Sequence, residues 1–208
     1  TYILMAVQLG LYLTYSLPGF RFKSISLIAG IIDAGYAYLV PALLSFHTFT
    51  LIGNHSPSNN FPQVFFLALF FIGYRNIFVH QLKDVLSDIR SNSPTLPQKL
   101  GAKNSNILLK LLVGLELILL VGFTIELTLF NNYFIAWASL VVVYYALSWS
   151  NVLTLFKLDN WVTNLLKINF LDQLYQLWFP LTTLVVLVIL DWKWIILLPI
   201  HLGLLIKR

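Results

Sequence analysis

The sequence contains no cysteine and few charged residues. Without cysteine the chain can form neither disulfides nor thiolate metal sites, and it cannot use a catalytic thiol. Charged residues make up only 10% of the chain and 59% of it is hydrophobic, whereas a soluble domain carries roughly 25% charged residues. So few polar side chains cannot cover a water-soluble globule. The composition therefore predicts a polytopic membrane protein.

Long apolar runs predict about seven transmembrane helices. A spanning helix needs about 20 mostly apolar residues, and continuous rather than alternating runs exclude a strand barrel. The predicted fold class is all-α, a polytopic transmembrane helical bundle that forms one domain over residues 1–208. The candidate spans are roughly 1–16, 26–52, 61–80, 106–130, 133–156, 175–191 and 193–207.

The basic residues predict how these spans are oriented. When the spans are threaded alternately across a bilayer, all but one of the 13 lysine and arginine residues fall on one side, and Lys193 falls on the other. Cytoplasmic loops carry the excess of positive charge, so the basic side is assigned to the cytoplasm of an inner or plasma membrane. The residues on that side are Arg21, Lys23, Arg75, Lys83, Arg90, Lys99, Lys103, Lys110, Lys157, Lys167, Lys207 and Arg208.

We expect the helix of span 61–80 to continue past the membrane surface, which places Asp84 and Asp88 one helical turn apart in the cytoplasmic stretch HQLKDVLSDIR. Residues at i and i+4 share one face of a helix, and His80 lies one turn earlier on that face. Two carboxylates at this spacing repel each other unless a cation lies between them. Mg²⁺ is usually held by one or two carboxylates together with substrate phosphates. The spacing alone is equally typical of a solvated loop with mixed charges.

The wider sequence around this pair resembles the second aspartate-rich segment of the UbiA superfamily of intramembrane prenyltransferases. There an Asp-x-x-x-Asp pair is followed by a basic and polar turn and a Thr-Leu-Pro…Leu-Gly tail. A second stretch, LYLTYSLPGFRFKS, is similar to the family's Tyr-Ser-x-Pro…Arg-x-Lys element. The matching residues are Asp84, Asp88, Arg90, Thr95, Leu96, Pro97, Leu100 and Gly101 in the first stretch, and Tyr15, Ser16, Pro18, Arg21 and Lys23 in the second.

The resemblance implies a UbiA-like domain of nine or ten helices, of which about seven are present. The family's first aspartate-rich segment, of the Asn-Asp-x-x-Asp-x-x-x-Asp type, lies three helices into the fold and has no counterpart in this sequence. We therefore expect residues 1–208 to lack the first three helices of the domain. A non-catalytic UbiA-like subunit that packs in a larger membrane complex is the alternative, because loss of that segment fits either case.

If the chain is an enzyme, the resemblance implies transfer of an isoprenyl group from a polyprenyl diphosphate to an aromatic or other lipophilic acceptor in the membrane. Asp84 and Asp88 would be the catalytic residues and would bind Mg²⁺, a Lewis acid for the leaving diphosphate. The expected partners are these two substrates and the lipid bilayer, and nucleic acid is not among them. The candidate substrate-binding residues are Arg21, Lys23, Lys83, Arg90, Tyr15 and His80.

Some acidic residues fall inside the predicted spans. Asp33 lies within two turns of the cytoplasmic side, and Glu116 lies about three turns into its span. Ionisable residues at membrane depth mark functional sites by default, so both are candidates, whereas Glu126 is expected near the opposite surface. Aromatic residues that could line a prenyl tunnel are Tyr36, Phe71, Tyr144 and Tyr145.

Overall fold

The computed structural model describes residues 2–17, 26–53, 61–90, 95–130, 134–157 and 169–206. Within these ranges the regular structure is entirely helical and comprises seven helices, which confirms the predicted all-α class. In chain order they are α1 (Tyr2–Ser16), α2 (Ser26–Ala34, Gly35–Leu39 and Val40–Gly53), α3 (Phe61–Arg90), α4 (Leu96–Phe130), α5 (Phe134–Lys157), α6 (Asn169–Gln173, Leu174–Trp178 and Phe179–Leu190) and α7 (Trp192–Ile196 and Leu197–Ile206).

Among the described residues, four helical stretches are long and apolar enough to cross a membrane. They lie in α2, α3, α4 and α6, and α1 is apolar but shorter. This supports the prediction of a membrane protein, while a nine- or ten-helix UbiA-like bundle stays a prediction. The four stretches are Leu27–Leu51, Pro62–Arg90, Leu96–Leu129 and Phe170–Leu190.

The largest difference from the predicted helix boundaries is at the start of α4. This helix begins at Leu96, ten residues before the predicted span, and it contains a bend at Gly101. The backbone of Gly101 has φ 72° and ψ 171°, a conformation that glycine adopts readily because it has no Cβ. Pro97 occupies an early position in the helix, where its missing N–H costs nothing. The Thr-Leu-Pro…Leu-Gly tail therefore forms a short helical segment that ends in a glycine bend.

Two prolines inside spans are each preceded by a widened, π-helical turn. The turn Gly35–Leu39 comes before Pro41, and the turn Leu174–Trp178 comes before Pro180. A proline within a helix has no N–H and its ring clashes with the carbonyl four residues earlier. The widened turns relieve that clash, since the residue before each proline donates its N–H to the carbonyl five residues back. The sequence predicts kinks at these prolines, and the structure accommodates them as π-helical turns.

The chain divides into two compact units, Thr1–Glu126 and Leu127–Arg208. In the first unit, α2 and α3 approach closely because each helix presents a glycine to a tyrosine ring of the other. A Cβ on Gly30 would lie 2.7 Å from the ring of Tyr74, and a Cβ on Gly73 would lie 2.7 Å from the ring of Tyr38. Small residues at such contacts let helix backbones approach in membrane proteins.

In the second unit, α5 and α6 pack through aromatic side chains. Trp137 is 1% exposed and its ring centroid lies 4.9 Å from that of Phe179. Tyr144 is also buried, and its hydroxyl donates a hydrogen bond to the backbone carbonyl of Phe170. Tyr144 therefore contributes to helix packing, and a tunnel-lining role for it stays a prediction. A cavity of about 500 Å³ lies between α6 and α7, and His201 is one of the few polar residues in its wall.

Candidate functional site

The acidic pair lies on the C-terminal part of α3. This helix has 30 residues and is therefore about 45 Å long at 1.5 Å per residue, whereas the hydrocarbon core of a bilayer is about 30 Å thick. The excess length lets the last turns of α3 extend beyond the hydrocarbon. The prediction that this helix continues past residue 80 is confirmed, and Asp84 and Asp88 share one face of it.

The acidic face of α3 is turned away from its packed face. Phe78, Val79 and Leu82 are 1%, 4% and 2% exposed, so they mark the side of α3 that contacts the rest of the unit. Asp84 is rotated about 200° from Leu82, at 100° per residue. Accordingly, Asp84 is exposed and Asp88 is half-buried.

The structure places only some of the predicted substrate-binding residues near this pair. His80, Lys83 and Arg90 belong to the same end of α3, and all three are exposed. Tyr15 lies elsewhere, at the end of α1, where it is half-buried and contacts Tyr36. The other two candidates, Arg21 and Lys23, lie outside the described residues.

The donors on α3 suit a magnesium ion that is shared with a ligand. Asp84 and Asp88 offer two carboxylates one turn apart, and Mg²⁺ typically takes one or two carboxylates and keeps waters or phosphate oxygens for the remaining positions. Within the described parts of the chain there is no group of three or more histidine and acidic side chains that could hold a metal without such help. The pair fits a substrate-assisted site better than a site built from protein ligands alone.

A second polar site, buried in the first unit, joins α3 to α4. The Arg75 Nε donates a hydrogen bond to Glu116 Oε2 at 2.6 Å, and Nη2 donates to Oε1 at 3.3 Å. Both side chains are 0% exposed. A charge at membrane depth is costly and requires a partner, and a guanidinium can meet both carboxylate oxygens at once. The two residues therefore form a two-pronged ion pair.

This ion pair bears on the sorting of basic residues. Arg75 was counted on the cytoplasmic side, and its side chain is fully buried against Glu116; the side of the membrane on which it lies stays a prediction. The prediction that Glu116 is a buried acid is confirmed, although its partner was missed. The sequence did contain an indication of this ion pair. Arg75 and Glu116 are opposite charges within the apolar runs of two consecutive helices.

The Arg75 side chain belongs to a single turn of α3 that contacts both neighbouring helices. Gly73 and Tyr74 make the close glycine–tyrosine contacts with α2, and the Asn76 side-chain amide donates to the Tyr38 hydroxyl at 3.0 Å. Residues 73–76, called here the 73–76 turn, thus contact α2 three times and α4 once. These contacts set the rotation of α3 about its axis, and therefore the direction of its acidic face.

A third polar group lies between α1 and α2. The ring of Tyr36 contacts the rings of Tyr12 and Tyr15, with centroids 5.8 and 5.6 Å away. Tyr36 follows Asp33 by three residues on α2, so the two side chains are neighbours on one face of that helix. The side-chain amide of Gln8, on α1, donates a long hydrogen bond of 3.5 Å to the backbone carbonyl of Tyr36, which lies in the widened turn of α2.

Comparison of the chain with protein-family models, with curated proteins and with solved structures found no match. The resemblance to the UbiA superfamily therefore rests on the two quoted sequence stretches alone.

Proposed function

We propose that this chain is the larger part of a magnesium-dependent prenyltransferase of the UbiA type. The observation that carries the proposal is the position of Asp84 and Asp88. They lie one turn apart on the exposed end of a membrane-length helix, on the face opposite its packed side. Two like charges at this spacing repel each other, and a cation bound between them would reverse that repulsion.

Each residue near the pair has a role that follows from its chemistry. Asp84 and Asp88 would hold the metal through their carboxylate oxygens, and the metal would supply Lewis-acid stabilisation of the departing diphosphate. Lys83 and Arg90 lie on the same stretch of helix, and both can donate hydrogen bonds to phosphate oxygens. The arginine can do so through two N–H groups. The electron-rich acceptor then bonds to the allylic carbon and releases a proton.

The described residues supply one side of such a site. The acidic face of α3 is exposed, and the contacts of the 73–76 turn direct the opposite face toward α2 and α4. Exclusion of water and fixed positioning supply large parts of the rate enhancement of an enzyme. The proposal therefore requires a second protein surface opposite Asp84 that closes the site. In the UbiA superfamily, the resemblance implies that the first aspartate-rich segment forms this surface.

Binding of an isoprenyl diphosphate tests the proposal. In equilibrium dialysis, we expect farnesyl diphosphate to bind the native protein in detergent only when Mg²⁺ is present. The Asp84→Asn and Asp88→Asn substitutions should each abolish this binding. Asp191→Asn is the matched control, because Asp191 is a partly exposed acid of the second unit. Magnesium-dependent binding that survives the Asp84→Asn and Asp88→Asn double variant would overturn the proposal.

A further inference from the structure

Asp33 is an acidic residue at membrane depth for which the described residues provide no cationic partner. It lies in the apolar stretch Leu27–Leu51, about 10 Å along the helix from Ser26 at 1.5 Å per residue. Within the described residues, no lysine or arginine forms an ion pair with it. An intramembrane carboxylate normally faces a cationic partner or a functional cavity, so the charge of Asp33 needs an explanation.

Glu116 shows how this chain stabilises an acid that has a purely structural role. Glu116 is 0% exposed and is held by two hydrogen bonds from Arg75. Asp33, in contrast, is only half-buried, so a ligand can reach its carboxylate. The difference indicates that the partner of Asp33 comes from outside the described chain.

The surroundings of Asp33 define the chemistry of that partner. Tyr36 lies three residues after Asp33 on the same helix, and its ring contacts the rings of Tyr12 and Tyr15 on α1. Tyr12 is 51% exposed, and the other two are half-buried. Aromatic faces attract cations through the ring quadrupole, and they do so most strongly where water is excluded. A carboxylate next to accessible tyrosine rings is a combination suited to an organic cation.

The local backbone holds this arrangement in place. Tyr36 lies in the widened turn Gly35–Leu39 of α2, and such turns are frequent at functional sites. The Gln8 side chain on α1 hydrogen-bonds the carbonyl of Tyr36 itself. Both helices thus fix the position of the central ring.

We propose that Asp33, Tyr12, Tyr15 and Tyr36 form a binding site for an alkylammonium group, located where α1 ends and α2 begins. The carboxylate neutralises the charge, and the rings surround the alkyl substituents on nitrogen. This site is separate from Asp84 and Asp88, and it does not depend on the proposed prenyltransferase function. The ammonium group can belong to a lipid headgroup or to a free lipophilic amine.

Binding of benzyltrimethylammonium tests the site. The native protein in the uncharged detergent dodecyl maltoside should bind this radiolabelled cation saturably in equilibrium dialysis, and should not bind its neutral carbon isostere, neopentylbenzene. Asp33→Asn should weaken binding by about tenfold or more, because the ion pair is lost. Tyr36→Leu should weaken it as well, whereas Tyr36→Phe should change it little because the ring remains.

A matched control and a competition experiment complete the test. Glu126→Gln removes another half-buried acid of the same unit and should leave binding unchanged. Competition by phosphatidylethanolamine would identify a lipid headgroup as the source of the ammonium group, and its absence would identify a free amine. The proposal is overturned if the native protein shows no saturable binding, or if monodisperse Asp33→Asn binds the cation as the native protein does.

Discussion

Two neighbouring stretches of α3 have opposite relations to the rest of the chain. In the 73–76 turn each residue has a defined contact in another helix, and Arg75 is 0% exposed. Two turns later, His80, Lys83 and Asp84 are exposed. One helix therefore joins a fixed, buried turn to a more exposed acidic end. The comparison indicates that the first stretch orients the second, because a helix transmits its rotation along its axis.

Stability and ligand binding should therefore depend on different parts of α3. Changes in the 73–76 turn should lower the free energy of unfolding, whereas changes at the acidic end should affect ligand binding and leave stability nearly unchanged.

The largest loss of stability is expected when one partner of the buried ion pair is removed. Arg75→Met or Glu116→Leu leaves an uncompensated buried charge, which typically costs about 3–5 kcal/mol. Unfolding of the protein in mixed micelles by a denaturing detergent measures this loss. The double variant should be more stable than either single variant, since it leaves no unpaired charge. A double variant as unstable as the sum of the two single variants would show that the two side chains contribute independently and are not coupled as an ion pair.

A smaller loss is expected where glycine meets a tyrosine ring. Gly73→Ala would place a Cβ 2.7 Å from the ring of Tyr38, and overpacking of this kind typically costs about 1–3 kcal/mol. Gly10→Ala is the matched control in the same unit, because no atom lies within 4 Å of its added Cβ. The same unfolding measurement should find the control as stable as the native protein or slightly more stable. Equal effects of the two substitutions would contradict the close approach of α2 and α3.

Little change in stability is expected at the acidic end. Asp84→Asn removes one of two like charges one turn apart, and such a repulsion is worth only about 0.2–0.5 kcal/mol. We therefore expect the unfolding midpoint to stay the same or to rise slightly. A marked loss of stability would mean that Asp84 has a structural partner, and it would remove the contrast with the 73–76 turn.

The two ends of α3 should also differ in their accessibility across the membrane. The chain has no cysteine, so single cysteines report one position each. Gln63 and Ser87 are exposed residues near opposite ends of the helix. In intact cells, an impermeant thiol reagent should label Gln63→Cys, and it should label Ser87→Cys only after the membrane is opened. Labelling of Ser87→Cys in intact cells would place the acidic end of α3 on the outer side of the membrane and would contradict a cytoplasmic site.

The sequence predicted the helices better than it predicted their contacts. Apolar runs of about 20 residues identify spans, because the bilayer sets their length. The start of α4 was missed because Gly101 interrupts the segment with a bend and polar residues follow it. The extension of α3 and the shared face of Asp84 and Asp88 could be predicted, because helical spacing fixes them.

The tertiary contacts depend on information that a single sequence does not contain. Arg75 looked like one more cytoplasmic cation, since only the packing of α3 against α4 shows that Glu116 is its partner. The fit of Gly73 against Tyr38 likewise depends on the relative rotation of two helices. For the candidate site, the sequence indicated the chemistry of the acidic pair, and the structure added its exposure and its position opposite the packed face of α3.

Prenyl transfer by the native protein is the measurement that tests the central claim most directly. Membranes containing the native protein should transfer radiolabelled prenyl groups from farnesyl diphosphate, or from a longer isoprenyl diphosphate, to a lipid-soluble product, and chelation of Mg²⁺ should stop the transfer. The account predicts that Asp84→Asn and Asp88→Asn each abolish this activity while the unfolding midpoint stays within experimental error of the native value. Undiminished magnesium-dependent transfer by the double variant would contradict the account and would leave the acidic end of α3 as a solvated helix terminus.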